Sequence, residues 1–154
     1  MLSDLELQMK DMETTLRVLG HEHPSTLSSM ANLASTYRNQ GRCKEAEELF
    51  VKVLETRKRV LGQEHPSTLT SIASLAYTWK SQGRVAEAIA MLAQAVNSYS
   101  SVFGNDHPYC RAWMSTLKRW TGEKQKGAWM ISPSVLLKRY IFAIGKAEER
   151  KWLL

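Results

Sequence analysis

Apolar residues recur along the chain in steps of three and four. Leu27, Met30, Leu33, Ala34 and Tyr37 make one stripe, and Ala46, Leu49, Phe50, Val53, Leu54 and Val60 make the next. Such steps place side chains on one side of an α-helix. Helix signals bound both stripes. Pro24 opens the first, where the N–H that proline lacks would be unpaired anyway. Gln40-Gly41 closes it, and Gly41 can take the left-handed conformation that follows a helix. The pattern predicts a first helix over about residues 24–39 and a second over about 44–61, ended by Gly62. His23 or Ser25 caps the first helix, and local sequence does not choose between them.

The same register then returns. Leu69, Ile72, Leu75, Ala76 and Trp79 match the first stripe, and Ala88, Met91, Leu92, Ala95 and Val96 match the second. Between residues 19–42 and 61–84, 16 of 24 positions are identical. Leu19-Gly20 becomes Leu61-Gly62 and Phe103-Gly104, and His23-Pro24 becomes His65-Pro66 and His107-Pro108, always 42 residues apart. A fixed period of this length indicates an array of one supersecondary unit. Residues 1–20 join it as a second helix, since Glu6, Lys10, Glu13, Thr14 and Arg17 recur 42 residues later. Residues 24–62 and 66–104 are the two good repeats, and residues 108–122 are a degenerate first helix.

In that last helix the stripe becomes Arg111, Met114, Leu117, Lys118 and Thr121. Lys118 falls where Ala34 and Ala76 let helices approach, and a lysine there is costly to bury. The helix is therefore expected to form the outer face of the array. After Gly122 the pattern is lost. Residues 123–131 read as a linker, and residues 132–154 read as a C-terminal helix opened by Ser132-Pro133. Leu136, Leu137, Tyr140, Ile141 and Ile144 lie on one side of it, with Lys138, Arg139, Lys146, Arg150 and Lys151 giving it charge. Such a helix can dock on the last repeat, whose open end exposes apolar surface, or lie on an anionic membrane.

Charge sharpens this division. Residues 1–110 carry 11 Lys/Arg against 12 Asp/Glu, and residues 111–154 carry 10 against 3, so the net +6 belongs to the tail. A nucleic-acid domain more often carries its charge on the folded surface that reads the ligand. No apolar run is long enough for a transmembrane helix, and no secretory h-region is visible. Cys43 and Cys110, 67 residues apart and without a CxxC pattern, suit a reducing, cytoplasmic setting.

Candidate chemistry is sparse. His21-Glu22-His23 could pass for a metal or acid–base site, but His21 becomes Gln63 and Asn105 in the later copies. His23, His65 and His107 persist, each before a helix-opening proline, which points to a structural corner without metal. The cysteines have Val85 and Thr68 at their repeat equivalents, so they are not expected to be ligands. The acids of GRCKEAEELF are expected on an exposed helix side near Lys44, Lys52 and Arg57, in surface ion pairs. Arg57, Lys58 and Arg59 complement a helix C-terminus. Trp79 takes the aromatic core position, while Trp113, Trp120, Trp129 and Trp152 gather in the decayed end as a cap or a contact patch. No triad, carboxylate pair or phosphate loop is present, so neither an enzyme nor a bound cofactor is expected.

Leu33-Ala34 with Tyr37, Gly41, Ala46 and Phe50 resembles the tetratricopeptide signature, whose usual period is about 34 residues. The 42-residue unit, with GRxxEAEELF and VLETRKRVLGxEHPSTL, is similar to the kinesin-light-chain type of that repeat, above all to the long arrays of filamentous fungi. The resemblance covers residues 5–117. It implies an all-α fold, a right-handed α-solenoid of helix–turn–helix units with a C-terminal capping helix, whose first helices line a concave groove. It implies no catalysis. The heptad coiled coil that joins light chains to motor heavy chains is absent from this sequence, so no motor role is carried over. In fungi such arrays commonly end nucleotide-binding signalling proteins, as sensor or scaffold modules.

Carried over onto this sequence, the groove positions are Ser28, Ala31, Asn32, Ser35, Arg38 and Asn39, then Thr70, Ala73, Ser74, Tyr77, Lys80 and Ser81. Asn32, Ser35, Arg38, Asn39, Ser74, Tyr77, Lys80 and Ser81 are the expected partner-binding residues. Amides and hydroxyls there suit a peptide backbone, and the two cations suit carboxylates. The function expected is a non-catalytic protein–protein interaction scaffold that takes a peptide or partner protein, acidic in character. The alternatives are a self-assembling solenoid fragment joined through its open ends, or a basic C-terminal helix on an anionic membrane or nucleic acid; neither a membrane nor nucleic acid is the expected partner.

Overall fold

A computed structural model describes residues 1–122, and the expected linker and C-terminal helix lie outside the described residues. Six helices follow one another: α1 (Asp4–Leu19), α2 (Pro24–Asn39), α3 (Cys43–Leu61), α4 (Pro66–Ser81), α5 (Val85–Phe103) and α6 (Pro108–Thr121). No strand occurs among the described residues. Each helix packs on the next, and α2 also touches α4 directly. The helices thus form a solenoid with α2, α4 and α6, the first helices, side by side along one face.

Local chemistry fixes the corners. His23, His65 and His107 are the N-caps, each accepting through Nδ1 the backbone N–H two residues on, at 3.1, 3.1 and 3.2 Å. An imidazole nitrogen here does what a Ser or Asp oxygen does at other caps. Ser25, the other cap candidate, supplies an N–H to that bond. Gly41 and Gly83 turn the chain within each unit with φ of 79° and 80°. A Cβ would meet nothing within 4 Å at either, so backbone conformation alone demands glycine there. Ser3 and Glu6 close a capping box on α1, with the Glu6 carboxyl lowered by the Ser3 backbone and hydroxyl.

The two apolar stripes meet in one continuous core that runs from Leu33 to Leu117. Ala34, Ala76, Ala46 and Ala88 are fully buried where helices cross, so small side chains set the interhelical distance. Two expectations need correction. Val60 is exposed, because it sits in the last turn of α3 beyond the cover of its neighbours, as Val18 and Val102 also do. Met30, Leu49 and Met91 are only partly buried.

The first and last described helices, α1 and α6, depart from the repeat at polar positions. Asp4, Gln8 and Asp11 of α1 stand where α3 carries the buried Ala46, Phe50 and Val53. Gln8 and Asp11 instead accept hydrogen bonds from Thr36 and Ser29, at 2.7 and 2.6 Å. On α6, Arg111 and Ser115 are exposed and Lys118 is half-exposed where α4 buries Leu69, Ala73 and Ala76.

The acids of the second helix are not all at the surface, contrary to the expectation. Glu47 is half-buried and accepts from Trp79 Nε1 and Gln82 Nε2 at 2.7 Å each, and from Arg84 Nη1 at 3.0 Å. Arg84 also pairs with Glu87 and covers the Trp79 ring. Burial pushes the Glu47 carboxyl up, but the bonds from Gln82 and Trp79 and the Arg84 charge together outweigh it and leave it below its ordinary value. Arg57 is half-buried too, donating to the Ser67 carbonyl and the Ser71 hydroxyl, and burial lowers its pKa.

Thr26 and Thr68 are fully buried with unpaired hydroxyls, and Cys110 takes the equivalent place in the third unit. Thr68→Val removes an unsatisfied group at constant shape and should raise stability by about 1 kcal/mol, read as a higher urea midpoint at unchanged slope. Glu47→Ala should cost about 1–2 kcal/mol. Because the folded carboxyl lies below its unfolded value, its contribution is present above the unfolded value and lost as pH falls through the folded one. Acid titration of thermal stability should therefore be shallower in Glu47→Gln than in the wild type.

Candidate functional site

The face shared by α2, α4 and α6 carries the cations. Arg38, near the end of α2, lies 6.0 Å from the Phe50 ring centroid and 5.9 Å from that of Tyr77. Tyr77 reaches from α4 to α6: its hydroxyl is 3.1 Å from Thr116 Oγ1, and its ring meets Trp120 edge-on at 5.2 Å. Lys80 Nζ sits 5.9 Å from the Trp120 ring. Arg38, Tyr77, Trp120 and Lys80 thus form a run of cations and rings across three helices. Cation–ring contacts of this kind are worth about 0.5–1 kcal/mol when exposed, and more when desolvated.

Arg38 stands out electrostatically. Its guanidinium is half-buried, and burial lowers its pKa, with Tyr77 and Cys43 opposing. No carboxylate or other hydrogen-bond acceptor meets this side chain among the described residues. By contrast, Arg42 pairs with Glu45, Arg59 with Glu22 and Arg84 with Glu47. A poorly solvated cation without a counter-ion favours any anion that arrives.

The remaining expected residues divide. Asn32, Ser35 and Asn39 make no side-chain hydrogen bond among the described residues, so their donors are open. Ser74 and Ser81 donate to the carbonyls of Thr70 and Tyr77 and can offer only lone pairs. Ala73, expected in the groove, is buried in the core, because α4 has a first-helix neighbour on each side. Ala31, its equivalent on α2, stays partly open. Trp120, which the sequence pattern left as a cap or a contact patch, lies against Tyr77 and Lys80. It replaces Thr36 and Thr78 of the earlier units, and that departure from the repeat was the available signal. Trp113 is core, stacked against Tyr109 and edge-on to Tyr99.

Two tandem matches to the tetratricopeptide repeat, over residues 26–67 and 68–109, cover more than half of the chain. The chain belongs to the tetratricopeptide repeat family. Among solved structures it is similar to a Podosopora anserina protein described as a kinesin light chain with nearly identical TPR-like repeats. A point variant of that protein gives 29% identity and a TM-score of 0.63, covering 88% of this chain and 63% of the other. A second structure of it gives 27% identity and a TM-score of 0.62, covering 93% and 68%. BtubC (BKLC) from P. vanneervenii, at 17% identity and a TM-score of 0.67 over 93% and 57%, shares the fold. This chain therefore spans roughly two thirds or less of the neighbours' length. A search of curated proteins gives no significant match. In the tetratricopeptide solenoid the layer of α2, α4 and α6 is the concave one, and it holds the cation–ring run.

The groove reading separates from a purely structural one by a single substitution. Arg38→Met keeps an apolar stem against Phe50 and Tyr77 and removes the desolvated charge. Its melting temperature should match or exceed that of the wild type; a drop of more than about 4 °C, near 1 kcal/mol, would mark Arg38 as a structural clamp.

Proposed function

We propose that this tetratricopeptide array is a non-catalytic scaffold whose concave face binds an acidic segment of a partner protein. Repeats of this fold mediate protein–protein interaction, and the finer reading rests on Arg38. A half-buried guanidinium with no counter-ion among the described residues, between two rings, suits a carboxylate held bidentately and partly shielded from water. Lys80 adds a second positive charge beside Trp120. The Trp120 and Tyr77 rings suit an apolar or aromatic anchor next to the acids. Asn32, Ser35 and Asn39 can meet an extended backbone. Among the described residues no helix is long and apolar enough to cross a membrane. Self-association through open ends is a second reading, which the exposed Leu7 and Met9 of α1 favour and the exposed Arg111 and Ser115 of α6 oppose.

Fluorescence polarisation with a panel of labelled peptides tests this. Peptides with two or three Asp/Glu beside an aromatic residue should bind, and affinity should fall as salt rises. Arg38→Ala should weaken them by about tenfold or more, since a charge-assisted bond contributes about 1.5–3 kcal/mol. Equal binding of Lys-rich and Glu-rich peptides, or an Arg38→Ala variant that binds as the wild type does, would sink the proposal.

A further inference from the structure

Val18-Leu19, Val60-Leu61 and Val102-Phe103 are the last two residues of α1, α3 and α5, and all six are 38–68% exposed. These three helices are the second helices of successive units, so they run the same way and end on the same edge of the solenoid. Arg59 at the end of α3 reaches Glu22, in the turn after α1, at 2.6 Å, which shows that successive corners adjoin. Tyr109, half-exposed beside His107 and Phe103, extends the edge at the third unit. Most of the exposed large apolar side chains of the described residues therefore form one strip. Its area is on the order of several hundred Å², the size at which an apolar patch marks a contact surface. The intra-chain core does not use these positions, yet an apolar pair stands there in all three copies.

Charge along the strip names the occupant. Arg17 lies at one end and Asp106 at the other, both exposed and without an ion pair among the described residues. Between them Arg59 and Glu22 neutralise each other, and the turn after α3 adds one exposed acid, Glu64. A strip that is positive at one end, negative at the other and apolar throughout is complementary to itself when turned by half a rotation. We propose that the corner edge is an isologous face on which a second copy of this chain docks antiparallel. Val60-Leu61 then lie on the two-fold axis and meet their own copies, and Arg17 of each chain faces Asp106 of the other. The concave groove, on the first-helix side, stays free in this arrangement.

Light scattering of the full 154-residue chain, from low micromolar to near-millimolar concentration, tests the pairing. The mass should rise from 17.5 kDa towards twice that value. Val60→Glu, which places two like charges on the axis, should hold the chain monomeric at every concentration with unchanged helical circular dichroism. Val102→Glu should do the same from another helix, so misfolding of one variant leaves the test intact. Arg17→Glu or Asp106→Lys alone should weaken the dimer about tenfold, and the two together should restore it. A wild-type chain that stays monomeric to near-millimolar concentration overturns the proposal. So does a dimer that survives both glutamate substitutions, or a charge-reversed double variant that shows no recovery.

Discussion

A two-helix unit has more apolar surface than its two helices can bury on each other, and every other feature depends on that excess. The stripe of α3 is covered by α2 on one side and α4 on the other, and α4 is covered in turn by α3 and α5. Ala34, Ala46, Ala76 and Ala88 hold the crossings close enough for Phe50, Leu75 and Leu92 to be fully enclosed. Each unit therefore completes its neighbour, as repeat arrays do when one unit cannot stand alone. The first and last described helices depart from that pattern at polar positions. On α1, Gln8 and Asp11 replace Phe50 and Val53 and accept from Thr36 and Ser29 of α2. On α6, Arg111 and Lys118 take the places of Leu69 and Ala76.

Equivalent joints share backbone geometry but not chemistry. At the position of Ser29, Ser71 and Trp113, the preceding helix supplies Asp11, then Arg57, then Tyr99. The first is an anion accepting from a hydroxyl, the second a cation donating to one, the third two rings meeting edge-on. Burial keeps the Tyr99 hydroxyl and the Cys110 thiol at that last joint protonated beyond their ordinary range. The backbone spacing is carried by the alanines and the His-Pro corners, so the side chains at each joint are free to differ. The Glu47 lock with Trp79, Gln82 and Arg84 is likewise built once, between the two best-matched units.

The groove follows from the same layering. First helices lie side by side, so residues that face neither core nor solvent fully, such as Arg38 and Tyr77, are pressed between adjacent helices. There a cation loses much of its water while keeping an open side. Phe50 of its own unit and Tyr77 of the next flank it, and no carboxylate among the described residues neutralises it. Cationic and aromatic side chains thus meet where the packing leaves a half-buried seam.

Local periodicity and helix punctuation settled the elements of residues 1–122. Hydrophobic steps, prolines at helix starts and glycines after helix ends act within a few residues, and these are the signals a single sequence carries. Self-comparison at 42 residues then gave the architecture and exposed His21 as outside the repeat. Only the tertiary structure decided what depends on partners far along the chain. It made Glu47 a lock rather than a surface acid, since its partners lie 32 to 37 residues away. It exposed Val60, because a stripe records which residues face one way and not where the neighbouring helix stops. It buried Ala73 while leaving Ala31 open, because only α4 is flanked by first helices on both sides. It set Trp120, left by the sequence as a cap or a contact patch, beside Tyr77 and Lys80, a placement fixed by how α6 lies against α4. Periodicity assigns a residue to a face of its own helix; what that face meets is set by the helices packed against it.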